Sequence, residues 1–260
     1  MHFVVVQARD VATSSAVEQI VADIRTSADA FVFLSGGASK MPAASAERLR
    51  ALLRALAILV EHRLRFAVGD GGTRAGVMEA AGAVRRATGD AFPLLGVAPA
   101  PDVTTTGEPG KTPVDPNHSH VVAVDDPEWA RRQRARGWDP SQGHWGSETG
   151  AMYEIFARLA RDRPSVTIVA NGGAVTVDEI GRNLAQRRPM IVVAGSGRAA
   201  DAVVSVLTGS PPADDGARGL VPAVEALGVA RHADLFEVFP LERGPEALAR
   251  VLLARLRPSE

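Results

Sequence analysis

Apolar residues are arranged along this chain in two alternating patterns. Short runs such as 31–34 and 190–194 are apolar at every position, which is typical of strands covered on both faces of a sheet. Between these runs lie longer segments in which apolar residues recur every three or four positions, as they do on one face of a helix. Segment 16–25 is one of these, and Ser14 or Ser15 before it can cap a helix.

Strand and helix patterns alternate through most of the chain. Strands are predicted at 3–7, 31–34, 66–68, 93–98, 120–124, 165–170, 190–194 and 235–239. Helices are predicted at 16–25, 43–62, 77–86, 148–161, 176–186, 198–207, 221–227 and 245–257. This alternation predicts an α/β fold with a single doubly wound, mostly parallel sheet of about eight strands and helices on both faces, which is Rossmann-like. Because no linker divides the pattern, we expect one domain over residues 1–260.

Residues 99–146 interrupt the alternation with a long segment rich in Pro, Gly, Asp and Thr, in which 120–124 is the one predicted strand. All three tryptophans, Trp129, Trp138 and Trp145, lie in this irregular insertion. Since aromatic side chains bury much surface, we expect an ordered lid or a subunit contact there. The arginine-rich stretch 131–136 is interpreted as a solvated face.

Composition narrows the classes of function. The chain has 29 basic and 30 acidic residues, and a net charge of −1 gives no support for a nucleic-acid partner. It has no cysteine, and therefore no disulfide and no cysteine nucleophile. Its apolar runs are shorter than the roughly 18 residues that cross a bilayer, and the N-terminal run is too short for a signal peptide. We therefore expect a cytoplasmic protein without membrane insertion.

Four predicted strands end in glycine turns, at 36–37, 69–72, 172–173 and 195–197. Since parallel strands end at the same edge of a sheet, these turns should gather where α/β sheets bind their ligands. Glycine lets a ligand approach the backbone, and the helix that follows directs free N–H groups towards it, which attracts phosphate. The alternative is that glycine serves only the packing of tight strand-to-helix turns. The convergence of four turns favours a ligand that carries phosphate.

Two of these turns resemble known motifs. Residues 69–78 (GDGGTRAGVM) resemble the GGGxxGLM-type turn of the LOG-type nucleoside-monophosphate phosphoribohydrolases, and residues 171–179 (NGGAVTVDE) resemble that family's PGGxGTxxE turn. The closer likeness is to the TRPM-related prokaryotic branch of the SLOG superfamily, which is similar to the cytosolic N-terminal region of TRPM channels. The segments that carry this likeness are 35–38 (SGGA), 70–73 (DGGT), 115–120 (DPNHSH), 145–148 (WGSE), 171–173 (NGG) and 195–198 (GSGR).

The resemblance implies binding or sensing of a nucleotide-derived ligand, either ADP-ribose- or NAD-like or a nucleoside phosphate, and a homodimer or higher homo-oligomer. The alternative is a nucleotide N-glycosidic hydrolase, in which Glu179 occupies the position of the family's catalytic Glu. Asn171 and Val175 depart from that motif, and 145–153 lacks the assisting Arg, so binding fits the sequence better than cleavage. A third alternative is a structural module that assembles partners through the tryptophan-bearing insertion.

The candidate site combines the glycine turns with the resemblance. Glu179 is the candidate catalytic residue. Asp70 would hold a ribose hydroxyl or, beside a phosphate, Mg²⁺. His118 and His120 should share one face of a strand, but without a matched third ligand they do not predict a metal site, and His118 is expected to contact the ligand. The residues expected to bind the ligand or its phosphates are Gly36, Gly37, Asp70, Gly71, Gly72, Thr73, Gly76, Asn117, His118, Glu148, Asn171, Gly172, Gly173, Thr176, Gly195, Ser196, Gly197 and Arg198.

Overall fold

The computed structural model describes residues 1–37, 41, 43–212 and 214–257 of the chain. The strands in that part are β1 (His2–Gln7), β2 (Ala30–Gly37), β3 (Phe66–Asp70), β4 (Leu94–Pro99), β5 (Val103–Thr104), β6 (Thr112–Pro113), β7 (His120–Asp125), β8 (Ser165–Asn171), β9 (Met190–Ala194) and β10 (Phe236–Pro240). The α-helices are α1 (Ser15–Ser27), α2 (Ala43–Leu53), α3 (Ala55–Glu61), α4 (Gly76–Ala87), α5 (Pro127–Arg134), α6 (Thr149–Leu159), α7 (Ala174–Ala185), α8 (Arg198–Thr208), α9 (Asp215–Arg218), α10 (Val221–Ala226) and α11 (Pro245–Leu256).

Eight of these strands form one parallel sheet in the order β1-β7-β4-β3-β2-β8-β9-β10. Along the chain, β3 and β4 follow β2 and lie in turn on one side of it. The later strands β8, β9 and β10 lie in turn on its other side. The direction of the strand order therefore switches between β2 and β8. The expected α/β fold with a mostly parallel, Rossmann-like sheet is confirmed, and a switch point of this kind is where such sheets bind ligands.

Helices cover both faces of the sheet because successive strand residues point to opposite sides. On one face, Val32, Val68 and Ile168 pack against α2, α3, α4 and α11. On the other face, residues such as Phe33 pack against α1 and α6, while Val192 and its neighbours pack against α7 and α8. Among the described residues, none of the helices has the length and apolar character needed to cross a membrane.

Two sequence predictions about helices are wrong in detail. The single helix expected at 43–62 is divided into α2 and α3 at Arg54. The two parts pack against different neighbours, α2 mainly against α4 and α3 mainly against α11, so tertiary packing overrides a continuous helical pattern. The insertion was expected to be irregular apart from 120–124, but it contains α5, which Asp126 caps by accepting a hydrogen bond from the Trp129 N–H. The arginine-rich stretch 131–136 overlaps the end of this helix and is mostly exposed, as its interpretation as a solvated face requires. The insertion also contains β5 and β6, a separate two-stranded parallel pair.

Candidate functional site

The four glycine turns follow four neighbouring strands in the centre of the sheet: β3, β2, β8 and β9. The prediction that these turns gather at one edge is confirmed. One turn differs from its expected form, since Gly36 and Gly37 still belong to β2, where they pair with Ala170 and Asn171 of β8. A side chain on Gly36 would collide with the Ala170 carbonyl, which explains the glycine there. Residues 38 and 39 of that predicted turn lie outside the described residues.

The edge is recessed at β3. Gly69 lies opposite Phe33, so β3 ends one residue further on, at Asp70, while β2 continues to Gly37 beside β8. At about 3.3 Å per strand residue, this difference makes a step roughly 10 Å deep. The turn at 71–73 forms the floor of the recess. The position of residue 72 requires glycine for two reasons. Its φ is +71°, and a β-carbon on it would come within 3.0 Å of the Gly96 Cα.

A cavity of about 300 Å³, which we call the central cavity, occupies this recess. It lies between β2, the 71–73 turn and the start of α7, and Glu148 borders it just before α6. Nine of the predicted site residues line it: Gly36, Gly37, Gly71, Thr73, Glu148, Gly173, Thr176, Glu179 and Arg198. Within the described part of the chain, α7 begins without a side-chain cap, so its first N–H groups are available to an anion.

A second and wider cavity of about 560 Å³, the lateral cavity, lies beside the first, at the start of α8. Three further predicted residues line it, namely Asn171, Ser196 and Gly197, together with residues 214–216, 219 and 220. Arg198 borders both cavities. Its guanidinium lies over the backbone of Gly173. A β-carbon on Gly173 would be 2.8 Å from an Arg198 terminal nitrogen. One arginine therefore stands where the two cavities meet.

Seven predicted site residues line neither cavity. Asp70 and His118 are buried beneath the floor, and the strand face that His118 was expected to share with His120 does not exist, because β7 begins only at His120. Gly76 faces a separate groove between α2 and α4. The other four also line neither cavity: Gly72 and Gly172 are buried, Asn117 is half-buried and Gly195 is exposed.

Glu179 is buried at the base of the central cavity. The Ser35 hydroxyl donates a hydrogen bond to its carboxylate. Burial raises the pKa of Glu179 to about 8, an effect that the Ser35 hydrogen bond only partly offsets and that Glu148 reinforces. At neutral pH this side chain is therefore mostly a protonated acid that can donate a hydrogen bond or a proton.

Polar groups behind Glu179 link it to the sheet interior. Asn183, one turn further along α7, donates to the Glu179 carbonyl at 3.0 Å and to the Tyr153 hydroxyl at 2.8 Å. The Asn183 side-chain oxygen accepts hydrogen bonds from Thr167 at 2.7 Å and from Arg188 at 3.1 Å. Every polar atom of Asn183 is thereby engaged, which fixes α7 against β8 at the level of Glu179.

Glu148 is the second buried carboxyl of the central cavity. Burial raises its pKa to about 7, while the Gly146 N–H, 2.9 Å from Oε2, favours the charged form. It lies in segment 145–153, which contains no arginine. The central cavity therefore has two carboxyl groups at its base and the Arg198 guanidinium at its side, a combination that suits a ligand with hydrogen-bond donors at one end and an anion at the other.

The insertion reaches the mouth of the central cavity through Trp145. Asp102 fixes this part of the chain by pairing with Nδ1 of His144 at 2.9 Å and by accepting a hydrogen bond from the His144 N–H. Trp129 and Trp138 meet edge to face with centroids 5.2 Å apart, and the Trp138 ring also packs against His144. Trp145 remains 39% exposed and lines the cavity.

Sequence reasoning missed Leu34, Met78 and Trp145, which give the central cavity its apolar walls. Trp145 lies within the WGSE segment and Met78 ends the 69–78 motif, so both carried a signal, whereas Leu34 reads as an ordinary strand residue. Among the residues that the structure describes, no group of three or more His, Asp or Glu side chains is arranged to hold a metal ion. Asp70 itself faces His118 and not a cavity.

Comparison with known protein families places the chain by sequence. A family model described as "SLOG in TRPM, prokaryote" matches residues 29–250. The matched range contains all four glycine turns and the residues that line both cavities. No curated protein matches the chain.

Proposed function

Because the chain belongs to the prokaryotic family described as SLOG in TRPM, we propose that it binds or senses a nucleotide-derived small molecule in the central cavity. The observation that carries this proposal is the position of Arg198, over Gly173 at the uncapped start of α7 and beside a 300 Å³ cavity. A guanidinium and free helix N–H groups together suit a phosphate. A cavity of this size suits a nucleoside-sized group.

The polarity of the central cavity gives the ligand an orientation. Its phosphates would lie between Arg198 and the start of α7, at the border of the two cavities. Glu148 and Glu179 would then face hydrogen-bond donors of the ligand, such as sugar hydroxyls or an amino group. Trp145 and Met78 form the apolar part of the wall, which suits the face of a base. ADP-ribose, NAD and nucleoside phosphates all have these parts.

Thermal unfolding in the presence of ADP-ribose, NAD, AMP and a cyclic dinucleotide tests this proposal. At least one of these should raise the melting temperature and bind in calorimetry. Arg198→Ala should lower the affinity of that compound at least about tenfold, because a charge-assisted phosphate contact is lost. Arg86→Ala, an exposed arginine of α4, is the matched control and should bind normally. A flat response to all four compounds by well-folded protein would reject the proposal.

A second function is favoured by the protonation of Glu179. A carboxylic acid that keeps its proton at neutral pH is suited to general acid catalysis, here the cleavage of an N-glycosidic bond in the bound nucleotide. Glu148, with its lower pKa, would carry the negative charge beside it. Release of free base from the bound compound, abolished in Glu179→Gln with binding retained, would establish hydrolysis. Binding without any release would leave the sensing function.

We also propose, from the family resemblance, that the chain forms a homodimer or a higher homo-oligomer. Sedimentation equilibrium with and without the ligand that raises the melting temperature measures this directly. A single species with the mass of one 27.3 kDa chain at micromolar concentration would refute it.

A further inference from the structure

Directly beneath the floor of the central cavity lies a cluster of three polar side chains that reaches neither cavity. It consists of Asp70, Asp115 and His118, each with at most 1% of its surface exposed. Buried ionisable groups are costly unless they are paired, so a group of three calls for an explanation. The sequence predicts that segment 115–120 contributes to ligand binding, but in the structure this segment lies under the cavity and not in it.

The cluster is attached to the 71–73 turn through both the N–H and the C=O of Gly72. Oδ1 of Asp70 accepts a hydrogen bond from the Gly72 N–H at 2.7 Å and is 2.8 Å from Nε2 of His118. The Asp115 N–H donates to the Gly72 carbonyl at 3.0 Å. The next residue, Thr73, forms an antiparallel bridge with Val114. The shape of the floor therefore depends on the cluster and on the segment that carries it.

The charges around His118 favour its protonated form. Burial by itself would lower the pKa of His118, but the Coulombic attraction and hydrogen bond of Asp70, with the charge of Asp115, outweigh it and raise the pKa. Burial also raises the pKa of Asp115, although its Oδ1 accepts a hydrogen bond from the Asn117 N–H at 2.7 Å. The Asp70 carboxyl group therefore favours a proton on Nε2 of His118, whereas Nδ1 is buried without a hydrogen-bond partner in the described part of the chain.

The elements around the cluster add little further charge. Gly82 of α4 lies against the Asp115 carboxyl group and Gly96 of β4 lies against the His118 ring, and neither has a side chain. Arg85 of α4 reaches the same segment but donates to the Asn117 carbonyl at 2.7 Å. His120 follows in β7 and engages the Ser119 hydroxyl at 2.9 Å. Asp70 is therefore the carboxyl group that contacts the ring, and Asp115 is a second carboxyl group whose charge acts on it.

We propose that His118, hydrogen-bonded to Asp70 through Nε2, is a positioning residue that holds the 71–73 turn in the shape required for the cavity floor. Through Asp70 it orients the Gly72 N–H, and so the floor residues Gly71 and Thr73. Its effect on binding rests on the proposed function, but its effect on the turn does not.

Amide hydrogen exchange at Gly72, followed by NMR, tests the proposal without any ligand. In His118→Leu and in Asp70→Asn, the Gly72 amide should lose at least about tenfold in protection, which is the order expected when one buried hydrogen bond is weakened. His120→Gln, a change at a neighbouring half-buried histidine outside the cluster, should leave Gly72 unchanged. Unchanged protection in a folded His118→Leu protein would overturn the proposal.

The protonation state of the wild-type ring gives a test that does not depend on whether the variants fold. The ¹⁵N shift of His118 Nε2 at pH 7 should be that of a protonated nitrogen, as donation to Asp70 requires, and an unprotonated Nε2 would overturn the proposal. Gly72 protection should fall as the ring titrates, and affinity for ADP-ribose should fall with it in wild type but not in His118→Gln. If protection changes as stated and ADP-ribose does not bind at any pH, the positioning role stands and the ligand proposal is the one that fails.

Discussion

The Ser35 hydroxyl at the end of β2 donates a hydrogen bond to the Glu179 carboxylate on α7, and so joins the two halves of the sheet at its switch point. A hydroxyl has one proton to donate, and the burial of Glu179 is nearly complete. The hydrogen bond therefore cannot fully compensate the carboxylate for lost hydration, which is why the pKa of Glu179 is raised to about 8 and not lowered. At neutral pH the side chain is therefore mostly protonated, and its proton is available to a ligand.

The first prediction concerns stability as a function of pH. The pKa of Glu179 is about 8 in the folded protein and near 4.5 for an ordinary glutamate, so the folded state binds this proton more tightly. The free energy of unfolding should therefore fall as the pH rises from about 5 to about 8. Glu179→Gln removes this penalty and should be more stable than wild type by at least about 1 kcal/mol at pH 8, as measured by urea unfolding.

At pH 5 the two proteins should be nearly equal, since Glu179 is then protonated in folded wild type and the glutamine of the variant is always neutral. Glu148, whose pKa is raised to about 7, leaves a weaker pH dependence of the same sign in Glu179→Gln. Glu225→Gln, a change at an exposed glutamate of α10, is the matched control and should follow wild type. A Glu179→Gln protein that is less stable than wild type at pH 8 would mean that the carboxylate is better satisfied than its contacts indicate.

The second prediction separates the two glycines of the cavity floor. A β-carbon on Gly71 would meet only Met78, at 3.9 Å, so Gly71→Ala should fold with normal stability. Its methyl group would narrow the central cavity, and affinity for the bound nucleotide should drop at least about tenfold, as expected when a small overlap must be relieved in a packed site. Gly72→Ala should instead cost about 1–3 kcal/mol of stability, because its φ of +71° strains any other residue.

Calorimetric titration and urea unfolding of both variants give the comparison. Gly150→Ala, on the exposed side of α6 where a β-carbon would have ordinary contacts with Arg182, should change neither quantity. Normal binding by Gly71→Ala would exclude the floor as a ligand contact, even if the nucleotide binds elsewhere on the protein.

The order of strands and helices was accessible from sequence because each element has a strong pattern of its own. The adjacency of β2 and β8 was not, because it depends on how the second half of the sheet packs against the first. The same limit explains the misreading of His118, whose partner Asp70 comes from a strand far away in sequence. The break at Arg54 has no local signal and follows from packing against two different helices.

The third prediction uses Trp145 as a reporter of binding. Trp129 and Trp138 pack against each other, whereas Trp145 lines the central cavity and is partly exposed. A nucleotide in that cavity should change the emission of Trp145 alone. Trp145→Phe should lose the fluorescence change, and Trp145→Ala should also bind about fivefold more weakly, since an aromatic contact is worth on the order of 1 kcal/mol.

Trp138→Phe is the control for this measurement, because it removes one tryptophan of the same insertion and leaves the cavity wall intact. Its fluorescence change on titration should equal that of wild type. If the fluorescence change survives in Trp145→Phe and disappears in Trp138→Phe, the ligand binds near Trp129 and Trp138 and not in the central cavity.

The fourth prediction concerns the contact that holds Trp145 in place. The Asp102 carboxylate accepts a hydrogen bond from the His144 N–H and pairs with Nδ1 of the His144 ring. His144 immediately precedes Trp145. Asp102→Ala should release this part of the insertion, so that trypsin cleaves the arginine-rich stretch 131–136 at least about tenfold faster, while the protected core of the sheet is retained. Ser141→Ala, a change at an exposed residue of the same insertion, should be cleaved at the wild-type rate. If the Asp102 contact matters only for local order, the freed insertion will still bind the nucleotide as wild type does. If Trp145 is part of the binding wall, affinity and proteolytic resistance will fall together, and added nucleotide will restore the resistance.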